Sequence, residues 1–134
     1  MTSPGSETLQ VRSSDDVVRV RQRARALSIE AGLSLIDQTK IVTAASELAR
    51  NMIDYAGGGT VLLDFIGSGP RRGVRLTFED RGPGIADVDL ALKDGYSTGN
   101  GLGLGLGGAK RLSSEFIIVS KPGQGTKITI TRWK

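Results

Sequence analysis

The chain has 134 residues, a formal net charge of +4, 4% aromatic residues, and neither cysteine nor histidine. That length supports one hydrophobic core. The missing thiols exclude disulfides and thiolate metal sites, and the missing imidazole removes the commonest general base and transition-metal ligand.

The chain opens "MTSPGSETLQ", which has neither the basic start nor the apolar stretch of a secretion signal, so a cytoplasmic protein is expected. Residues 1–7 are expected as a tail, and "TLQVR" alternates as a strand does. Ser13, Ser14, Asp15 and Asp16 then offer helix-starting residues, Val17, Val20, Ala24 and Leu27 recur at helical spacing, and Gly32 can end the helix. Arg19, Arg21, Arg23 and Arg25 on this helix admit a nucleic-acid reading. With so few aromatics they are taken as a solvated face or one that meets an acidic protein. A second helix follows from Ser34, with Ile41, Ala45, Leu48 and Met52 as its apolar stripe and the glycines at 57–59 as its stop.

"TVLLDFIG" and "GVRLTFED" read as a hairpin turning around Gly69-Pro70. The polar, glycine-rich stretch 81–101 is too long for an ordinary connection. A helix over roughly 103–113 is expected next, then strand "EFIIVS", a turn at "KPGQG" and a last strand "TKITITRW". The order β-α-α-β-β-loop-α-β-β fits an α/β (α+β) two-layer sandwich, with a mixed, mostly antiparallel sheet and helices on one face. A single domain over 1–134 is expected, without internal repeats. No apolar run reaches membrane-spanning length, so no membrane association is expected.

Three segments carry chemistry. On the second helix, Glu47, Asn51 and Asp54 fall within roughly 60° of arc, so two carboxylates and an amide share one flank. Such oxygen donors suit Mg²⁺ and a general base, although a merely polar flank has the same pattern. In "EDRGPGI", Asp80 ends an apolar strand and can accept a hydrogen bond from an amino group, while Gly82 and Gly84 allow close backbone approach before Ile85. An ordinary turn uses the same residues. In "DGYSTGNGLGLGLGGAKRL", glycines at 99, 101, 103, 105, 107 and 108 alternate with Leu102, Leu104 and Leu106 and run into a helix, which makes a natural anion site. The P-loop pattern fails because Ala109 and Lys110 follow Gly108. A dinucleotide fingerprint fails because no strand precedes Gly103, Gly105 and Gly108.

In order and spacing, Glu-x-x-x-Asn, Asp-x-Gly-x-Gly-Ile, Gly-x-Gly-Leu-Gly-Leu and the late "GQGT" together resemble the GHKL ATPase and kinase superfamily. The resemblance covers about residues 8–132 and implies the Bergerat fold, with ATP held between helices and sheet under a glycine-rich lid. It implies Glu47 as catalytic base, Asn51 as Mg²⁺ ligand, and Asp80 as partner of the adenine amino group. It implies Gly82 and Gly84 as pocket wall and lid hinge, with Ile85 beside them, and Gly101, Gly103 and Gly105 as the triphosphate wrap around Leu102. Leu104 and Leu106 would anchor that loop, Thr126 would support adenine through water, and Asp54 and Arg50 would assist near metal and phosphate.

Larger members of the superfamily carry transducer or dimer modules that 134 residues cannot hold, and histidine kinases need a histidine. What remains resembles the anti-sigma-factor serine/threonine kinase branch, and "LALKDGY" and "GAKRL" resemble its stressosome switch kinases. The resemblance implies Mg-ATP-dependent phosphorylation of Ser or Thr on STAS-domain scaffold or antagonist proteins. It then implies binding and activation of a metal-dependent protein phosphatase. An anti-sigma-factor kinase that inhibits a sigma factor directly, and a nucleotide-binding adaptor without catalysis, stand beside that reading.

Overall fold

The computed structural model describes residues 6–85, 88, 92 and 103–134, with the backbone alone at 103–105. Among the described residues, five strands and three helices run in the order β1 (Ser6–Val11), α1 (Ser14–Glu30), α2 (Leu35–Ala56), β2 (Gly59–Ser68), β3 (Arg71–Asp80), α3 (Gly103–Arg111), β4 (Glu115–Ser120) and β5 (Thr126–Trp133). The sheet order is β1-β2-β3-β5-β4. Its antiparallel character extends to all four pairings among the described residues. The final strand inserts between β3 and β4, so the chain leaves the hairpin, crosses the helical layer as α3, and returns to the sheet's edge.

The period of two sorts the strand residues into two faces. Leu9 and Val11, Val61 and Leu63, Val74, Leu76 and Phe78, Ile128 and Ile130, and Phe116 and Ile118 lie on the face that the helices cover. Ile41, Val42, Ala45, Leu48, Ala49 and Met52 of α2 and Val17, Val20, Ala24 and Leu27 of α1 pack onto them. Leu106 and Ala109 of α3 complete the core. Each large side chain so buried stabilises the fold by about 1.5–3 kcal/mol.

The helix ends follow local chemistry. Ser34 Oγ accepts from the Asp37 N–H at 3.1 Å and starts α2, which ends at Gly57. At the start of α1, the Asp16 carboxylate accepts from the backbone N–H of Arg12 at 2.8 Å and of Ser13 at 3.2 Å, so two otherwise free donors are satisfied. Asp37 also pairs with Arg132 at 2.8 Å, which ties the first turn of α2 to the far end of β5. At its other end α2 lies beside Gly59 at the start of β2 and Gly82 just past β3, through Met52 and Ala56. Arg72 Nε donates to the Ala31 carbonyl at 3.0 Å and holds the α1–α2 corner against the hairpin.

Candidate nucleotide-binding site

The covered face changes character at one end of the sheet. The row Val61, Phe78, Ile128, Ile118 is apolar across four adjacent strands. One step of two residues further along each strand, in the directions the pairing sets, stand Gly59, Asp80, Thr126 and Ser120. A polar row therefore follows an apolar one on a face that is otherwise core. Its Gly59 end stands beneath the last turns of α2, beside Met52.

Asp80 is half-buried, and its Oδ1 accepts from the Gly82 N–H at 2.9 Å. That bond curls the chain back as β3 ends and orients the carboxylate. Gly82 then meets α2 directly, since a Cβ there would lie 2.5 Å from the Cβ of Ala56. No side chain fits between them. Gly84 has φ +76° and Gly125 has φ +85°; a Cβ on either would lie 2.1 Å from a carbonyl oxygen, of Lys121 and Asp80 respectively. At both positions only glycine satisfies the backbone and the space. The Gly123 N–H donates to the Pro83 carbonyl at 2.7 Å, so the turn after β3 and the turn before β5 are held as one wall.

Ser120 closes the row. Its Oγ accepts from the Ile85 N–H at 2.8 Å, lies 2.8 Å from the Thr126 hydroxyl and 3.2 Å from the Gly125 carbonyl. One hydroxyl thus joins three segments, and Thr126 beside it is half-buried. The sequence signal for Ser120 is its parity. Phe116, Ile118 and Ser120 share the covered face, so Ser120 is polar where the pattern calls for an apolar residue.

On α2, Glu47, Arg50 and Asp54 are exposed and Asn51 is half-buried, along the flank that Leu48, Ala49 and Met52 leave uncovered. Met52 faces the polar row, since a Cβ on Gly59 would lie 2.9 Å from its Sδ and 3.2 Å from the Asp80 Cβ. The structure therefore joins Asp80, Gly82, Gly84, Ile85 and Thr126 into one wall, which meets α2 at Met52 and Ala56. Among the described residues no three His, Cys, Asp or Glu side chains converge as a ready-made metal cage. One amide oxygen flanked by carboxylates fits a cation that takes its other ligands from phosphate and water, as magnesium does with nucleotides.

Gly101 and Leu102 lie outside the described residues. Gly103, Leu104 and Gly105 form the first turn of α3, so their backbone N–H groups include the unpaired donors of a helix N-terminus. Leu106 is buried, and the Leu104 side chain lies outside the described residues.

Residues 36–134 match the family model described as Histidine kinase-, DNA gyrase B-, and HSP90-like ATPase. The chain is similar to the serine/threonine-protein kinase RsbT of Bacillus subtilis (strain 168), at 43% identity over 118 residues, which are 88% of this chain and 89% of that one. It is also similar in fold to the crystal structure of the RsbU and RsbW domains of Rv1364c from Mycobacterium tuberculosis. There the TM-score is 0.67 and the identity 24%, over 98% of this chain and 33% of the other. Among the described residues no helix is long and apolar enough to cross a membrane. A glycine-shaped wall around the half-buried Asp80, at the C-terminal end of α2, thus agrees with the match over most of the chain: the protein belongs to the Histidine kinase-, DNA gyrase B-, and HSP90-like ATPase family.

Proposed function

We propose that this protein is a cytoplasmic serine/threonine protein kinase, a single catalytic domain that transfers the γ-phosphate of Mg-ATP to STAS-domain scaffold or antagonist proteins of a stressosome. After that transfer it engages and activates a metal-dependent protein phosphatase. The carrying observation is the polar row Asp80, Thr126 and Ser120 beneath α2, in a chain 43% identical to a serine/threonine kinase over nearly its whole length.

In this reading Asp80 accepts a hydrogen bond from the adenine amino group. Its geometry is set in advance by the Gly82 N–H. Thr126 supports the base from the neighbouring strand, with its hydroxyl held by Ser120. Gly82 and Gly84 let the wall approach the base closely, Ile85 packs beside it, and Leu106 seats α3 on the core. The donors at the start of α3, with Gly101 and Leu102 ahead of them, receive phosphate oxygens. Asn51 would hold magnesium, which would neutralise phosphate charge, and Arg50 and Asp54 would assist from the same flank. Glu47 lies one helical turn before Asn51 and would accept the proton from the substrate hydroxyl as that oxygen attacks the γ-phosphorus and the bond to the β–γ bridging oxygen breaks, releasing ADP. Phosphoryl transfer asks chiefly for such positioning and charge stabilisation.

The test is to incubate the protein with Mg-ATP and a STAS-domain protein of the same organism, locate phosphate by mass spectrometry, and then assay the released kinase for stimulation of the phosphatase. Phosphoserine or phosphothreonine on the STAS domain, followed by stimulation, is expected. Nucleotide binding without transfer to any protein would instead make the chain an adaptor, and capture of a sigma factor would place it among direct anti-sigma kinases.

A further inference from the structure

The sheet order leaves β4 at an edge, with no strand on its outer side among the described residues. Its sequence is "EFIIVS", followed by Lys121. Phe116 and Ile118 face the core, while Ile117 and Val119 point away from it and are 59% and 58% exposed. Soluble proteins commonly block an edge with a charge, a proline or a bulge along its length. Here the charges stand only at the two ends, Glu115 and Lys121, and are of opposite sign. The other edge differs: β1 points Ser6, Thr8 and Gln10 away from the core.

We propose that β4 is a self-recognition edge, pairing antiparallel with β4 of a second copy about a twofold axis at Ile118. In that register Glu115 of each copy stands opposite Lys121 of the other, Phe116 opposite Ser120, and Ile117 opposite Val119. Both ends of the seam close with an ion pair, and the four exposed apolar side chains cover one another on the open face. Glu115 also accepts a hydrogen bond from the Trp133 indole N–H through one oxygen, which holds the carboxylate at the strand end and leaves the second oxygen for lysine.

Competing registers are worse on each count. Parallel pairing sets Glu115 against Glu115 and Lys121 against Lys121. A slip of one residue puts outward side chains opposite inward ones. A slip of two separates both charge pairs. The matching of charge and face therefore selects one isologous dimer, with two five-stranded sheets joined into a continuous one.

Sedimentation of the full chain at low salt, at concentrations up to about 0.5 mM, tests this. A monomer–dimer equilibrium is expected. K121E sets carboxylates face to face at both ends of the seam, and E115K does the same with lysines. Two altered cross-strand pairs should each time weaken the dimer by about tenfold. The double variant E115K/K121E restores opposite charges and should return the dissociation constant to within about threefold of the starting value. Thermal unfolding of each variant shows that the fold is retained. A chain that stays monomeric throughout, a dimer indifferent to the single reversals, a double variant as weak as the singles, or an edge occupied only by a different protein would each overturn the proposal.

Discussion

Asp80 and Thr126 stand opposite each other across β3 and β5, and the backbone locks that pair: a Cβ on Gly125 would lie 2.1 Å from the Asp80 carbonyl oxygen. The two side chains share the covered face, where the rows before them are apolar. Their relationship is set by strand register rather than by a loop, so a ligand between them meets a preformed edge. Rigid strand ends hold a binding constellation more firmly than loops do.

Asp80→Asn keeps an oxygen for the Gly82 N–H but replaces the charged acceptor with an amide. A hydrogen bond to a charged group contributes about 1.5–3 kcal/mol, so ATP affinity should fall by at least tenfold to a hundredfold while the unfolding midpoint changes little. Isothermal titration with ATP, beside thermal unfolding, checks both. Unchanged affinity would remove Asp80 from the adenine pocket.

Gly82→Ala forces a methyl into Ala56, whose Cβ is 2.5 Å from the position it would take. Overpacking of this kind costs about 1–3 kcal/mol and should push the wall away from α2, weakening ATP binding as well as the fold. Ala56→Gly removes the struck atom. The double variant should therefore recover part of what Gly82→Ala loses, beyond the sum of the single effects. Additive losses in urea unfolding would show that the two residues do not touch.

The Asp16 carboxyl is held below its ordinary value of 3.8, first by the Arg12 backbone N–H and further by the Ser13 N–H and Arg19. A lowered folded-state value means that its stabilisation is present above 3.8 and is lost as pH falls through the folded value. Asp16→Asn should accordingly be less stable than the native chain at neutral pH, with the gap closing in strong acid. Urea unfolding of both proteins at neutral pH and below the ordinary carboxyl value measures this. A gap that widened on acidification would contradict the role given to that carboxylate.

Much of this arrangement is legible in the sequence where the cause is local. Strands β4 and β5 fall at "EFIIVS" and "TKITITRW", as alternation and flanking turns predict, and Ser34 starts α2. The helix expected over roughly 103–113 spans Gly103–Arg111 despite its glycines, because Leu106 and Ala109 give it a face to bury. The insertion of β5 between β3 and β4 is not legible, since strand order depends on packing between distant segments. Asp80 and Thr126 are recognisable from their motifs, and their pairing then follows from that order. Ala56 escapes a linear reading for the same reason, as do the partners of Ser120 and Gly125. These contacts run across the fold, to Gly82, Ile85 and Asp80 respectively.

Transfer of labelled γ-phosphate from Mg-ATP to a STAS-domain protein, run side by side with the native chain, Glu47→Ala and Asp80→Asn, tests the central claim most directly. The native chain should label Ser or Thr. Glu47→Ala should bind ATP as before yet transfer about 10²–10⁴ times more slowly, the usual contribution of a general base. Asp80→Asn should bind ATP about tenfold to a hundredfold more weakly and lose transfer in proportion at limiting ATP. Undiminished transfer by Glu47→Ala, or a native chain that binds nucleotide and labels no protein, would contradict the account.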